Sequence, residues 1–134
     1  SPSIAFVDSK FIVVCSGGME TDPRINDIFF IELSLEGDVL GNEKKLSDGD
    51  MDLRSPTMAF SGSEIGIVWI DYEALAVLLS RYGVDGSEIQ GDIFVTGSAD
   101  ITNGAVPVVS AGSNYFVAWD DGKNIFVSKI GCVP

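Results

Sequence analysis

The sequence predicts an all-β chain made of a repeated unit of short antiparallel strands, and three observations carry that prediction. One pattern occurs three times. Pro56–Phe60 leads through Ser61-Gly62-Ser63 into Ile65–Trp69, Pro2–Phe6 through Asp8-Ser9 into Phe11–Cys15, and Pro107–Ser110 through Ala111-Gly112-Ser113 into Tyr115–Trp119. The prolines that head the copies lie 54 and then 51 residues apart, a spacing that belongs to a structural period. Between them, the apolar runs are short, β-branched and aromatic, and Gly, Ser, Asp and Asn separate them, which is the composition of strands and turns.

Taken in order, Pro2–Val7 reads as a first strand, since proline suits a strand's opening residue, where a missing N–H leaves the ladder intact. Asp8-Ser9-Lys10 turns the chain into Phe11–Cys15, apolar on both faces as a strand between two neighbouring sheets is expected to be. Ser16-Gly17-Gly18 ends it, and a loop through Met19–Asn26 precedes a third strand over Asp27–Leu33. After the turn Glu36-Gly37-Asp38, an outer strand is expected within Val39–Leu46, its charged run Gly41–Lys45 suiting an edge. The second copy repeats the plan: Pro56–Phe60, Ile65–Ile70, Ala74–Tyr82 and Ile93–Thr96, with Gly86 falling where Gly37 falls. Glu73–Leu79 has helical propensity, but the aligned runs Ile28–Leu33 and Ile125–Ile130 are strand-like, so the repeat assigns a strand. The third copy has Pro107–Ser110, Tyr115–Trp119 and Asn124–Ile130, with an Asp-Gly hairpin turn at Asp120–Lys123.

Repeats of this length predict β-propeller blades or a related array. The expected fold is all-β, a single domain over residues 1–134 with repeats 1–54, 55–105 and 106–134, the last lacking its outer strand. Rings hold about 4–8 blades. Fewer than three whole blades cannot close one, and the end blades would each bare an apolar face. A second copy meeting by symmetry, a second polypeptide supplying further blades, or an open array are the three ways out.

Composition narrows function. Twenty acids against 8 bases give a net charge of −12, which opposes phosphate backbones and polybasic membrane binding. Histidine is absent, removing the usual proton-transfer group, so a Ser-His-Asp or Cys-His set cannot form. No apolar run approaches the roughly 20 residues of a membrane helix, and a signal peptide is expected to be absent or to have been removed ahead of residue 1. Cys15 takes the slot held by Trp69 and Trp119, which reads as apolar packing. A Cys15–Cys132 disulfide stays open from sequence.

The candidate site residues are few. Asp71 and Asp120 follow the two tryptophans and are the carboxylates that glycoside chemistry would need, although repetition favours a turn role. Tyr72, with Asp71, Asp120 and Asp121, is the candidate ligand contact, a loop aromatic able to stack on a sugar. Asp48, Asp50 and Asp52 alternate like the start of a calcium loop. Leu53 and Ala59 stand where an EF-hand needs Gly and Glu, leaving only a looser calcium site. No other cofactor is indicated.

The run Pro56–Ser63 leading to Ile67-Val68-Trp69, with Pro2-Ser3-Ile4-Ala5 and Val117-Ala118-Trp119, resembles the blade repeat of secreted bacterial β-propeller proteins. Cys15 in the tryptophan slot and the absent last outer strand depart from it. The resemblance implies a propeller fold and a secreted, cell-surface or periplasmic setting. The function expected is a non-catalytic binding module for carbohydrate or protein, acting as a homo-oligomer or with a second chain. The alternative is a structural segment of a larger propeller enzyme or surface protein whose active site lies elsewhere. Neither nucleic-acid binding nor membrane insertion is expected.

Overall fold

The fold is taken from a computed structural model that describes residues 1–18, 22, 24–47, 52–97, 104 and 106–131. Among these are eleven strands and no helix. They form three antiparallel sheets, each a simple up-and-down meander. The first holds β1 (Pro2–Val7), β2 (Lys10–Gly18), β3 (Asn26–Leu33) and β4 (Lys44–Lys45). The second holds β5 (Leu53–Phe60), β6 (Ile65–Asp71), β7 (Ala76–Tyr82) and β8 (Glu88–Gly97). The third holds β9 (Val108–Ala111), β10 (Asn114–Asp120) and β11 (Ile125–Gly131).

The repeat is visible in the register. Phe6 pairs with Phe11, Phe60 with Ile65 and Ser110 with Tyr115, so the second strands align from those residues. Four residues on, Cys15, Trp69 and Trp119 occupy one slot and pair with Phe29, Leu78 and Phe126. The turns after β3 and β7 share a hydrogen-bond pattern. Ser34 N donates to Asp38 O and Gly37 N to Ser34 O, as Gly83 N does to Ser87 O and Gly86 N to Gly83 O. Gly37 and Gly86 have φ of 92° and 80°, a conformation that disfavours a Cβ and explains the shared glycine.

Several strands differ in extent from the sequence expectation. The outer strand of the first sheet shrinks to Lys44–Lys45, preceded by an isolated bridge between Leu33 and Val39. Its exposed polar run has no apolar face to hold it on the ladder. β8 is longer than expected, reaching back to Glu88 through several register shifts. β5 starts before Pro56, which sits at a register shift between Arg54 and Thr57 beside Ser55 at φ 54°. A shift in the ladder tolerates proline's missing N–H as well as a strand's first residue does.

Side-chain alternation packs the sheets in a stack. Ile65, Ile67 and Trp69 on one face of β6 join Val7, Ile12, Val14, Ile28 and Phe30 of the first sheet in one core. Val68 and Ile70 on the other face of β6 join Val77, Leu79, Val108, Tyr115 and Val117 in a second core against the third sheet. All seven residues of β6 are therefore buried, each large apolar side chain contributing about 1.5–3 kcal/mol. Both β6 and β7 have two covered faces, β7 giving Tyr82 and Leu78 to the first core and Val77 and Leu79 to the second. In β2 only Ile12 and Val14 are buried, while Phe11, Val13 and Cys15 point the other way and are half-buried.

At one place the sheets come especially close. A Cβ on Gly66 would lie 2.5 Å from the Tyr115 ring, so glycine is what lets the third sheet approach β6 there. The first strands of consecutive sheets are also neighbours, β5 packing against β1 and β9 against β5. Thr57 Oγ1 donates to Val106 O and Ser110 Oγ to Phe60 O, which sets β5 and β9 running side by side in the same direction.

Candidate functional site

The meander places the turns between second and third strands at the same end of each sheet as the start of the next first strand. Asp52, Asp71, Tyr72, Asp120 and Asp121 all lie at that end. Asp48 and Asp50 lie outside the described residues, as does Cys132; Cys15 is half-buried on β2.

The most connected group there joins the first two sheets. Asn26 and Asp52 form a parallel bridge, and Asn26 Nδ2 donates to Asp52 Oδ1 at 2.7 Å. Arg54 grips the same carboxylate with both ends, Nε to Oδ1 and a terminal nitrogen to Oδ2, each at 2.7 Å. Such a bidentate pair is geometrically specific. The Arg54 guanidinium holds the Asp52 carboxyl below its ordinary value, with Asn26 adding to the effect. The same guanidinium lies 4.9 Å from the centre of the Tyr72 ring, a cation–π arrangement. Tyr72 N donates to Asp52 O. Tyr72 is thus a partly exposed aromatic (36%) fixed on a rigid base. Both Asp52 oxygens are engaged, and among the described residues no cluster of three acids or cysteines is placed to hold a metal.

Asp71 and Asp120 are the last ladder residues of their hairpins, opposite Ala76 and Ile125. Their carboxylates serve the turns. Asp71 Oδ1 accepts from Glu73 N and Ala74 N, Asp120 Oδ1 from Gly122 N. Asp121 Oδ1 accepts from Lys123 N and Asn124 N, and those backbone donors, Asn124 first, hold its carboxyl below the ordinary value. Asx turns of this kind are a common use of Asp between strands. Asp120, Gly122, Lys123, Asn124 and Ile125 line a shallow depression at the hairpin tip.

Two features escape a sequence reading. A cavity of about 100 Å³ lies between the crossover from the first sheet and the outer strands of the second, lined by Leu46, Ser47, Leu53, Trp69, Tyr82, Glu88 and Asp92. Trp69 Nε1 is a buried donor without a hydrogen-bond partner among the described residues. The second feature is an ion-pair network at the opposite end of the second sheet. Arg81 binds Glu64 with both ends, at 2.6 and 2.7 Å, and donates to Gln90 Oε1 at 3.0 Å. Tyr115 of the third sheet donates its hydroxyl to Glu64 at 3.3 Å. Glu64 and Arg81 are 17 residues apart, so only the folded register brings them together. Arg54 was within reach of sequence reasoning: two residues from Asp52 on an extended segment, it shares that residue's side of the strand.

Comparison with protein-family models, with curated proteins and with solved structures returned no match.

Proposed function

We propose that this chain is a non-catalytic binding and interaction module of β-propeller type, whose ring of sheets is completed by association. The observation that carries the reading is an asymmetry of cover. The inner strands β6 and β7 of the second sheet are packed on both faces, whereas the first and third sheets each leave an apolar face in solvent, with Ile4 at 61% and Val127 at 67% exposure. A monomer seldom keeps large patches of this kind bare. Two four-stranded meanders and a three-stranded one, antiparallel, packed face to face and with their first strands adjacent, support the blade reading.

The non-catalytic part of the reading is supported by the duties of the acids: Asp71, Asp120 and Asp121 brace turns, and Asp52 pairs with Arg54. The end carrying Tyr72 and Arg54 is the binding face, suited to a carbohydrate stacked on the aromatic ring or to a protein loop. Resemblance to secreted propeller repeats supports an exported or surface setting. The same bare faces also suit a segment of a larger propeller protein that receives sheets from another polypeptide.

Electron-microscope images of the purified assembly test the reading. Particles with sheets arranged round a central channel support it, and assemblies without any channel overturn it. Glycan-array binding abolished by Tyr72→Ala would assign the ligand as carbohydrate.

A further inference from the structure

The two bare faces are not equivalent surfaces, and the repeat shows how they differ. Counting from the aligned residues Phe11, Ile65 and Tyr115, alternate positions of the second strand point to opposite sides. Ile65, Ile67 and Trp69 of the second sheet face the first sheet, and Tyr115 and Val117 of the third face the second. In the first sheet the same positions are Phe11, Val13 and Cys15, and they face solvent. The complementary set behaves the other way. Ile12 and Val14 face the second sheet, Val68 faces the third, and Phe116 and Ala118 of the third sheet face solvent. The chain therefore makes one kind of junction twice and leaves one half of it bare at each end.

We propose that the occupant of the bare face of the first sheet is the bare face of the third sheet in a second copy of this chain, in a head-to-tail pair with two identical junctions. This deepens the ring reading above and rests on it. The facing positions can be compared slot by slot. The position filled by Val14 with Ile67 in the first junction and by Val68 with Val117 in the second becomes Ala118 with Val13 of the second copy. The slot of Ile12 with Ile65 in the first junction and of Gly66 with Tyr115 in the second becomes Phe116 with Phe11, apolar but bulkier than either, so the sheets would stand further apart there. The flanking strands add Ile4, Phe6, Phe29 and Ile31 to the face of the first sheet, and Val109, Ile125 and Val127, with one charged residue, Lys129 opposite Phe116, to that of the third. Two copies of the three described sheets would give six, a number inside the range of about 4–8 that such rings hold. A heterologous contact that closes after one repetition ends in a discrete dimer, where one that did not close would give fibres.

Single-face lesions separate this arrangement from the others. Ile4→Glu damages only the face of the first sheet and Val127→Glu only that of the third. Both side chains are well exposed in the single chain, so the strands tolerate the charge, and circular dichroism checks that they do. Phe6→Lys and Val109→Lys repeat the test should either first variant misfold. In sedimentation equilibrium the wild type is expected at twice the 14.2 kDa chain mass and each variant alone at the chain mass. An equimolar mixture of the two variants is expected to recover the doubled mass, because one undamaged junction can still form. If Val127→Glu alone stays dimeric while Ile4→Glu does not, the first sheets pair with each other and the proposal fails; the reverse pattern equally overturns it. A wild type at the chain mass removes the second copy as occupant, yet leaves the ring reading to sheets of another polypeptide. Channel-free images remove that reading itself.

Discussion

Gly66→Ala is the sharpest test of how the second and third sheets meet. The methyl group would stand 2.5, 2.7 and 2.8 Å from three atoms of the Tyr115 ring. Tyr115 is 1% exposed and its hydroxyl is tied to Glu64, so the ring cannot swing into solvent. Overpacking of this kind costs about 1–3 kcal/mol, while replacing a strand glycine returns roughly 0.5–1 kcal/mol of chain entropy. The net expectation is a loss of about 0–2.5 kcal/mol, or a fall in Tm of up to roughly 10 °C for a domain of this size. Urea titration followed by the fluorescence of Trp69 and Trp119 measures it. Tyr115→Val alone opens a cavity and is expected to cost about 3 kcal/mol or more. In the Gly66→Ala background the added methyl occupies part of that space, so the double variant should be more stable than the sum of the two losses. Additivity of the two losses within about 0.5 kcal/mol would refute the close approach.

The remaining predictions concern charge and backbone. Glu64→Ala removes the bidentate partner of an Arg81 that is 8% exposed, and should cost about 3 kcal/mol or more in the same titration. Leu75 holds φ 51° in an exposed turn, so Leu75→Asn should raise Tm by relieving about 1 kcal/mol of strain. Asp52, Asp85 and Asp121 have carboxyls held below the ordinary 3.8, by Arg54, by the Ser87 hydroxyl and by the Asn124 and Lys123 amides respectively. Depressed folded values mean that their stabilisation is complete above the unfolded value and lost as pH falls through the folded ones. Tm should therefore be level above about pH 5 and fall below about pH 4; a Tm that rises on acidification contradicts this. Because each copy carries −12, raising salt should tighten the proposed dimer by screening repulsion.

Most of the strands were legible because their signals are local. Phe11–Cys15, Ile65–Ile70 and Tyr115–Trp119 are dense in β-branched and aromatic residues, and the glycine of the Gly37 and Gly86 turns answers a backbone need fixed within five residues. The repeat assigned Ala74–Tyr82 to a strand against the helical propensity of Glu73–Leu79, and the strand found there runs over Ala76–Tyr82. What was not legible depends on which neighbour a strand acquires. Phe11, Val13 and Cys15 read like Ile65, Ile67 and Trp69, yet only the latter are covered by a sheet. The tryptophan slot shows the same divergence. Trp69 is buried between sheets, whereas Trp119 is half-buried and stacks on Phe126 of its own sheet at 5.7 Å. At the candidate site, the turn duties of Asp71 and Asp120 were foreseen from their repetition, and Tyr72 was singled out as a loop aromatic. Its support by Arg54 and Asn26 required the bridge between Asn26 and Asp52, which spans 26 residues and leaves no local mark.

The central claim is that the two bare faces of this chain belong together. Sedimentation equilibrium of the wild type over a range of concentrations tests it most directly. The account predicts a single species at twice the 14.2 kDa chain mass, closed and growing no further as concentration rises. A species at the chain mass throughout, or a mass that climbs without limit, would contradict it.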